Sequence, residues 1–107
     1  MLKSADCGAL REAQIDTRQV LAGGVDGRRD HGGIIFVDLR DRSGVVQVVF
    51  NPELSPDAYK LAESLRSEWV VEIRGKVQRR PPDTDNPLMA TGTIEVVAEQ
   101  VIVQTNL

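Results

Sequence analysis

The fold of this chain is decided by residues Arg28–Phe50, RRDHGGIIFVDLRDRSGVVQVVF. Successive side chains of a strand point to opposite faces, and this stretch alternates between apolar and mixed positions on both sides of a turn at 41–44. We therefore predict a β-hairpin with strands from Ile34 to Arg40 and from 45 to 50. Its buried face is predicted to hold Ile35, Val37, Leu39, Val46, Val48 and Phe50.

The other face of the hairpin combines groups that suit an unstacked nucleic-acid base. Phe36 and Gln47 point outward on adjacent strands, and Arg28 and Arg29 lie in the loop predicted to enter the first strand. An aromatic ring can stack on a base, an amide can hydrogen-bond its edge, and cations can contact phosphates. An exposed phenylalanine is also common on surfaces that bind nothing, so a plain solvated hairpin remains the alternative.

Length and composition exclude several classes of protein. A chain of 107 residues is predicted to form one domain, 1–107. It has a single cysteine, Cys7, and a single histidine, His31, so we predict no internal disulfide, no metal site and no cofactor. No apolar run of about 18 residues and no signal-peptide pattern is present, which predicts a cytoplasmic protein without a membrane partner.

The charge balance favours a local binding site over nonspecific binding along a nucleic-acid duplex. Sixteen acidic residues outnumber thirteen lysines and arginines, and the net charge of −3 argues against nonspecific duplex binding. Several cations nevertheless lie in or beside predicted strands, whereas acids are frequent in the predicted helix and later segments. This distribution suits a short single-stranded target.

The remaining segments complete a small barrel. The N-terminal residues Cys7–Glu12 are predicted to form a short helix with Leu10 facing inward. Further strands are predicted at 19–25, 69–77 and 93–103, the first bent at its two central glycines, and loops at 26–33 and 78–91.

A helix is predicted between the third and fourth strands, from Pro56 to about Arg66. Pro56 suits the first helical position, and the hydroxyl of Ser55 suits the N-cap. The helix has one apolar stripe, made of Ala58, Leu61, Ala62 and Leu65.

Three strands, a helix and two strands predict an all-β fold, the five-stranded OB-fold Greek-key barrel. In this fold the second and third strands and the neighbouring loops bind oligonucleotides. The hairpin that holds Phe36 and Gln47 is that pair of strands.

Three segments together resemble the N-terminal anticodon-binding domain of bacterial aspartyl-tRNA synthetase. They are RRDHGGIIFVDLRDRSGVVQVVFNPE, EWVVEIRGKVQRRPPDTDNP and TGTIEV, and the likeness extends over nearly the whole chain. In that family the domain grips the anticodon loop, and a separate catalytic domain attaches aspartate to the tRNA with ATP and magnesium. This chain has no class II synthetase motif or phosphate-binding loop, so we predict no enzymatic activity for it.

Arg28 is a candidate for phosphate contact from the pattern of the hairpin alone. The resemblance implies a role for each of the other candidate RNA-binding residues. Phe36 would stack on an anticodon base, and Gln47 would hydrogen-bond the central uracil. The remaining candidates are Arg29 and Glu95 at the first base, Arg80 and the loop around Asn86 at the third, and His31, whose position is associated with tolerance for the asparagine anticodon. The implied partner is an aspartate tRNA anticodon stem-loop, with the asparagine type second. The domain alone would be a monomer, and the full synthetase a dimer.

The sequence also departs from this family at two places. Relatives usually have G-W-V and a basic run before R-D-H-G-G, where this chain has Gly23, Gly24, Val25, Asp26 and Gly27. Thr93 also replaces an acidic residue that is common before I-E-V. The departures suggest a divergent or engineered domain. They leave open a scaffold whose barrel face serves a protein or another nucleic-acid partner.

Overall fold

The computed structural model describes residues 3–105, and its strands close into a barrel. The elements are β1 (Arg18–His31), β2 (Ile34–Asp41), β3 (Gly44–Phe50), α1 (Pro56–Ala62), β4 (Val70–Arg79) and β5 (Ile94–Thr105), preceded by two short 3-10 helices, Cys7–Ala9 and Glu12–Gln14. The strand order around the barrel is β1-β2-β3-β5-β4. The β3–β5 pair is parallel and the other pairs are antiparallel. These features confirm the predicted OB fold with a helix between the third and fourth strands.

The core fills the barrel with the residues that the alternation predicted. Each strand turns every second side chain inward, so the apolar positions of β2 and β3 meet those of β1, β4 and β5. All six predicted hairpin residues are fully buried: Ile35, Val37, Leu39, Val46, Val48 and Phe50.

The first strand is longer than predicted, and the predicted loop at 26–33 is wrong. β1 continues to His31 and pairs with β2, with Arg29 opposite Phe36. A β-bulge between Val25 and Gly27 accommodates one extra residue in β1, so the strand stays paired with β2 beyond it. Only Gly32 and Gly33 form the turn, because their φ angles of +60° and +81° suit a two-residue hairpin loop.

The bend predicted in the first strand is present. Gly24 pairs with Val70 of β4 and also with Arg40 of β2, so β1 changes partner at this residue. A Cβ atom on Gly23 would lie 2.6 Å from the carbonyl oxygen of Arg40. Glycine at position 23 therefore lets two backbones approach at the corner of the barrel.

The helix is shorter than predicted and begins without the predicted cap. α1 ends at Ala62 rather than near Arg66, and the Ser55 side chain makes no capping hydrogen bond, although Pro56 does occupy the first turn. The amide of Ser64 bonds to the carbonyl of Leu61, which tightens the chain out of the helix. Three of the four predicted stripe residues are buried; Leu61 is partly exposed.

The N-terminal segment packs on the barrel as two short helices instead of the single predicted one. Leu10 is buried as predicted. The amide of Cys7 donates to Asp41 Oδ2 at 2.9 Å, which fastens the segment to the β2–β3 turn. Burial, helped by the neighbouring Asp41 carboxylate, raises the pKa of the Cys7 thiol to about 12. Burial alone would raise the pKa of Asp41, but hydrogen bonds from Ser43 and Cys7 outweigh it and the pKa is lowered.

The alternation along residues 69–77 predicts one solvated face of β4, with Glu72, Arg74 and Lys76, and this prediction is wrong for Glu72. Glu72 is buried, because it lies between Ala22 and Ile102 and Arg74 Nε donates to its Oε2 at 2.7 Å. β4 also runs to Arg79, so the long loop begins two residues later than predicted.

No helix within residues 3–105 has the length and apolar character needed to cross a membrane. In the same part of the chain, no group of three or more His, Cys, Asp or Glu side chains is placed to hold a metal ion.

Candidate nucleic-acid interface

A cavity of about 270 Å³ lies on the outer face of the barrel, across β2, β3, β5 and β4. Its apolar wall includes Phe36, Val49 and Leu54, and its polar wall includes Gln47, Gln78 and Glu95. We name it the Gln47 cavity. The structure therefore brings together three of the predicted site residues, Phe36, Gln47 and Glu95, although they come from three strands.

A row of hydrogen bonds fixes the polar wall. Arg29 Nη2 donates to Gln47 Oε1 at 3.1 Å, and Gln47 Nε2 donates to Glu95 Oε1 at 2.9 Å. Gln78 Nε2 donates to the other carboxylate oxygen of Glu95 at 2.7 Å. A guanidinium can only donate and a carboxylate can only accept, so these partners set the orientation of the Gln47 amide.

The Gln47 amide keeps one hydrogen-bonding position free at each end after these contacts. Its nitrogen has a second N–H and its oxygen a second lone pair. A donor beside an acceptor complements the edge of uracil, which offers an imide N–H next to a carbonyl. Gln47 is only 8% exposed, so it is held at the cavity floor rather than projecting into solvent.

Phe36 stands at the rim of this cavity, half-buried. It lies opposite Val49 on β3 and opposite Arg29 on β1. Arg29 is held in place by Asp38, with Nη1 at 2.8 Å from Oδ2. An aromatic face next to a positioned guanidinium is an arrangement on which a base can stack while its phosphate is neutralised.

Glu95 is 3% exposed and keeps its carboxylate between two glutamine amides. Each carboxylate oxygen has further lone pairs, so Glu95 can also accept hydrogen bonds from a base that offers N–H groups. Its place beside Gln47 is consistent with contacts to neighbouring bases of one strand.

Arg80 lies inside the 80–93 loop rather than in the cavity. Its Nε donates to the carbonyl of Ile94 at 3.1 Å and its Nη1 to the carbonyl of Thr84 at 3.3 Å. Burial lowers the pKa of Arg80, and the nearby Glu95 carboxylate acts in the opposite direction. Since Thr84 lines the cavity, Arg80 is placed to shape that wall. Its predicted contact with the third base stays a prediction.

Two further predicted residues lie near the cavity without lining it. Asn86 holds the loop together: its backbone N–H donates to the carbonyl of Gly92, and its side-chain Oδ1 accepts from the backbone N–H of Leu88. His31 is exposed at the end of β1, opposite Ile34, which lines the cavity. Both roles implied for them remain predictions.

Arg28 is turned away from the other candidates. It lies in β1 opposite the core residue Val37, so its side chain points to the opposite face of the strand from that of Arg29. Its Nη1 donates to the carbonyls of Ala62 and Glu63 at the end of α1. Arg28 therefore provides a donor for the carbonyl of Glu63 and a second donor for the carbonyl of Ala62, which also accepts from the amide of Leu65. Its prediction as a loop residue was wrong.

We expect Arg28→Ala to destabilise the fold instead of reducing phosphate contact. Hydrogen bonds from a charged donor contribute roughly 1.5 to 3 kcal/mol, and the substitution removes the charged donor from the carbonyls of Ala62 and Glu63, so the free energy of unfolding should fall by about that amount. Urea unfolding measures it. Arg18→Ala, in the same strand, is the matched control, because its ion pair with Glu99 is exposed and its loss should change stability by less than about 1 kcal/mol. Equal stability of the two variants would contradict the assignment.

Gln78 is a further residue of the cavity that was predicted only as the start of the long loop, whereas it lies in β4. A signal was present, because the alternation Glu72, Arg74, Lys76 continues to Gln78 on the same face of β4. Leu54 was also missed. It follows β3 in an irregular segment, where no periodicity indicates its orientation.

The chain is similar in sequence to known nucleic-acid binding proteins. Residues 19–104 match the profile of a family described as an OB-fold nucleic acid binding domain. The chain is 55% identical over 95 residues to an aspartate–tRNA(Asp/Asn) ligase of Thermosynechococcus vestitus, covering 89% of this chain and 16% of that protein. It is 51% identical to the corresponding ligase of Parasynechococcus marenigrum, covering 99% of this chain and 17% of that protein.

Solved structures share the barrel. Asparaginyl-tRNA synthetase from Pyrococcus horikoshii superposes with a TM-score of 0.83 at 25% identity, covering 100% of this chain and 23% of that one. An OBody, AM2EP06, bound to hen egg-white lysozyme superposes with a TM-score of 0.85 at 24% identity, covering 100% of this chain and 97% of that one. Because its identity to this chain is below 25%, the likeness to the OBody shows only that the fold is shared.

Proposed function

We propose, since this chain belongs to the family of OB-fold nucleic acid binding domains, that its Gln47 cavity binds the anticodon loop of an aspartate tRNA. The observation that supports this most directly is the fixed Gln47 amide between Arg29 and Glu95, directly beside the Phe36 ring. This arrangement combines a stacking surface, a base-edge reader and a cation within one cavity.

In this proposal the chain acts as the tRNA-recognition part of an aspartate–tRNA ligase. The chain spans about one-sixth of the length of the ligases it resembles. Aminoacylation is therefore assigned to other parts of such an enzyme, and the 107 residues bind RNA without catalysis. Asparagine tRNA is a second proposed partner. A cytoplasmic location, a monomeric isolated domain and a dimeric ligase belong to the same proposal.

The experiment is a titration of the domain with an aspartate anticodon stem-loop and with one whose middle base is exchanged. The unmutated domain should prefer the matched RNA. Gln47→Ala should reduce that preference by roughly 1 to 3 kcal/mol, the usual value of a two-point base contact. Gln100→Ala, an exposed glutamine of β5 outside this cavity, is the control and should leave the preference unchanged.

Equal and weak binding of both RNAs by the unmutated domain would exclude the anticodon proposal. The protein-binding scaffold considered from the sequence would then become the leading hypothesis. Aspartate-dependent pyrophosphate exchange by the chain would contradict the assignment of catalysis elsewhere.

A further inference from the structure

Arg79, the last residue of β4, joins the 80–93 loop to the N-terminal segment. Its Nη1 donates to Glu12 Oε1 at 2.6 Å, and its Nη2 donates to Asp85 Oδ2 at 3.1 Å. One guanidinium therefore connects two carboxylates that are far apart in the sequence. We name Glu12, Arg79 and Asp85 the Arg79 bridge. The three residues lie outside the Gln47 cavity.

The N-terminal end of the bridge is fixed to the barrel. Glu12 begins the second 3-10 helix, and the residues that follow this helix pair with β4. The amide of Asp16 donates to the carbonyl of Val77 at 2.8 Å, and the amide of Val77 donates to the carbonyl of Thr17 at 3.0 Å. Glu12 is therefore an anchor for the Arg79 side chain.

The second half of the 80–93 loop is held by its own contacts. The backbone N–H of Asn86 donates to the carbonyl of Gly92 at 2.9 Å, which closes this half on itself. Thr91 Oγ1 donates to the carbonyl of Val45 at 2.7 Å and fastens it to β3. This half has a fixed position without help from Arg79.

The first half, residues 81–85, depends more on the Arg79 bridge. All five residues are exposed. They are tied to β4 by the hydrogen bond from Arg80 Nη1 to the carbonyl of Thr84, at 3.3 Å, and by the ion pair of Asp85 with Arg79. Segments with exposed residues and few buried contacts open most easily, so this ion pair bears directly on the order of the loop.

The bridge itself is not suited to binding phosphate. It contains one cation and two carboxylates, so its net charge is negative. Neighbouring residues of a strand also point to opposite sides, and Gln78 points into the Gln47 cavity. Arg79 therefore points away from that cavity, and an effect of Arg79 on RNA must pass through the loop.

We propose that Arg79 is a positioning residue for RNA recognition and acts through the 80–93 loop. Together with Glu12 it holds Asp85, and hence the neighbouring Asn86, in the arrangement that presents the loop to the third anticodon base. This inference rests on the proposed function and extends it to residues that do not touch RNA. An exposed ion pair adds little to the stability of a whole fold, but it is enough to change the population of a loop conformation severalfold.

The first test compares Arg79→Gln with Arg18→Gln. Arg18 is the matched control, because it is also an exposed strand arginine paired with a glutamate, Glu99, at 3.1 Å. Each variant is titrated with the aspartate anticodon stem-loop and with stem-loops whose third or middle base is exchanged. Arg79→Gln should weaken binding of the matched stem-loop by about threefold and reduce the preference for the third base by the same factor. The preference for the middle base should not change, and Arg18→Gln should change neither preference.

Asp85→Asn distinguishes positioning from a simple effect of charge. It removes a negative charge near the RNA, so a purely electrostatic effect would strengthen binding. If the bridge positions the loop, Asp85→Asn should instead weaken binding by about threefold and reduce the same preference for the third base. The double variant Arg79→Gln/Asp85→Asn should lose no more than either single variant, because the loop loses the same contact in all three.

Salt dependence and amide exchange complete the test. The slope of log affinity against log salt should stay unchanged in Arg79→Gln, whereas loss of a direct phosphate contact would reduce it by about 0.7. Without RNA, the backbone N–H of Thr84, which donates to the carbonyl of Pro81 within the loop, should exchange faster in Arg79→Gln than in Arg18→Gln. Urea unfolding should show that both variants keep nearly the stability of the unmutated domain.

The outcomes separate this inference from the anticodon proposal. If the unmutated domain prefers the matched middle base but Arg79→Gln behaves like Arg18→Gln, Arg79 has no positioning role and the anticodon proposal stands. The same conclusion follows if the unmutated domain does not distinguish the third base. If Asp85→Asn strengthens binding and Arg79→Gln lowers the salt slope, Arg79 contacts phosphate directly and the positioning role is wrong. If the unmutated domain does not bind the stem-loop, both proposals are overturned.

Discussion

Phe36→Ala is expected to weaken binding of the aspartate anticodon stem-loop by roughly 1 to 3 kcal/mol, the usual contribution of one base stacked on one aromatic ring. The ring stands at the rim of the cavity, opposite Val49 and beside Arg29, and is only half-buried. Its removal should therefore change the free energy of unfolding much less than the free energy of binding. RNA titration and urea unfolding of the same variant measure the two quantities.

Phe36→Tyr is the matched control for this substitution. A tyrosine keeps the aromatic face and should preserve most of the affinity, whereas alanine removes it. If Phe36→Ala binds RNA normally but unfolds much more easily, the ring supports the fold and the stacking role is wrong.

The sequence was sufficient for the hairpin because alternation alone determines which side chains share a face. All six predicted core residues of β2 and β3 are buried, and Phe36 and Gln47 do lie on the outer face. The same rule places Gln78 on the outer face of β4, but this strand was predicted to end one residue earlier, at Val77. The order of the elements then predicted the OB barrel, because few folds insert one helix between the third and fourth of five strands.

The extent of β1 was not predictable from composition. Residues 26–33 contain three glycines and mixed charges, which is typical of loops, yet the bulge after Val25 keeps the segment paired with β2. The error changed the interpretation of Arg28. In a flexible loop Arg28 and Arg29 can both face RNA, whereas in a strand they must point to opposite sides.

The burial of the polar wall was also not predictable from the sequence pattern. Gln47 and Glu95 are 48 residues apart in the chain and meet only because β3 pairs with β5. Polar side chains on an outer face are expected to be solvated, but here Arg29 and Gln78 complete a hydrogen-bonded row that holds them in place. Such a row depends on which strands become neighbours, and periodicity within one strand does not contain that information.

Phe50→Ala should have the opposite consequences to Phe36→Ala. Ile35 lies opposite Phe50 in the β2–β3 ladder and Phe36 lies opposite Val49, so a shift of one residue puts the two phenylalanines on opposite faces. Phe50 is fully buried, and its truncation should lower the free energy of unfolding by roughly 3 to 5 kcal/mol through lost burial and the space left behind.

RNA affinity, corrected for the fraction of molecules that remain folded, should be unchanged in Phe50→Ala, because Phe50 does not line the Gln47 cavity. The two variants delete the same side chain from adjacent strands, so differences in chemistry cannot explain different outcomes. A loss of stability below about 1 kcal/mol would mean that the barrel interior collapses into the vacated space. A specific loss of RNA affinity at unchanged stability would mean that the two faces of the hairpin have been assigned the wrong way round.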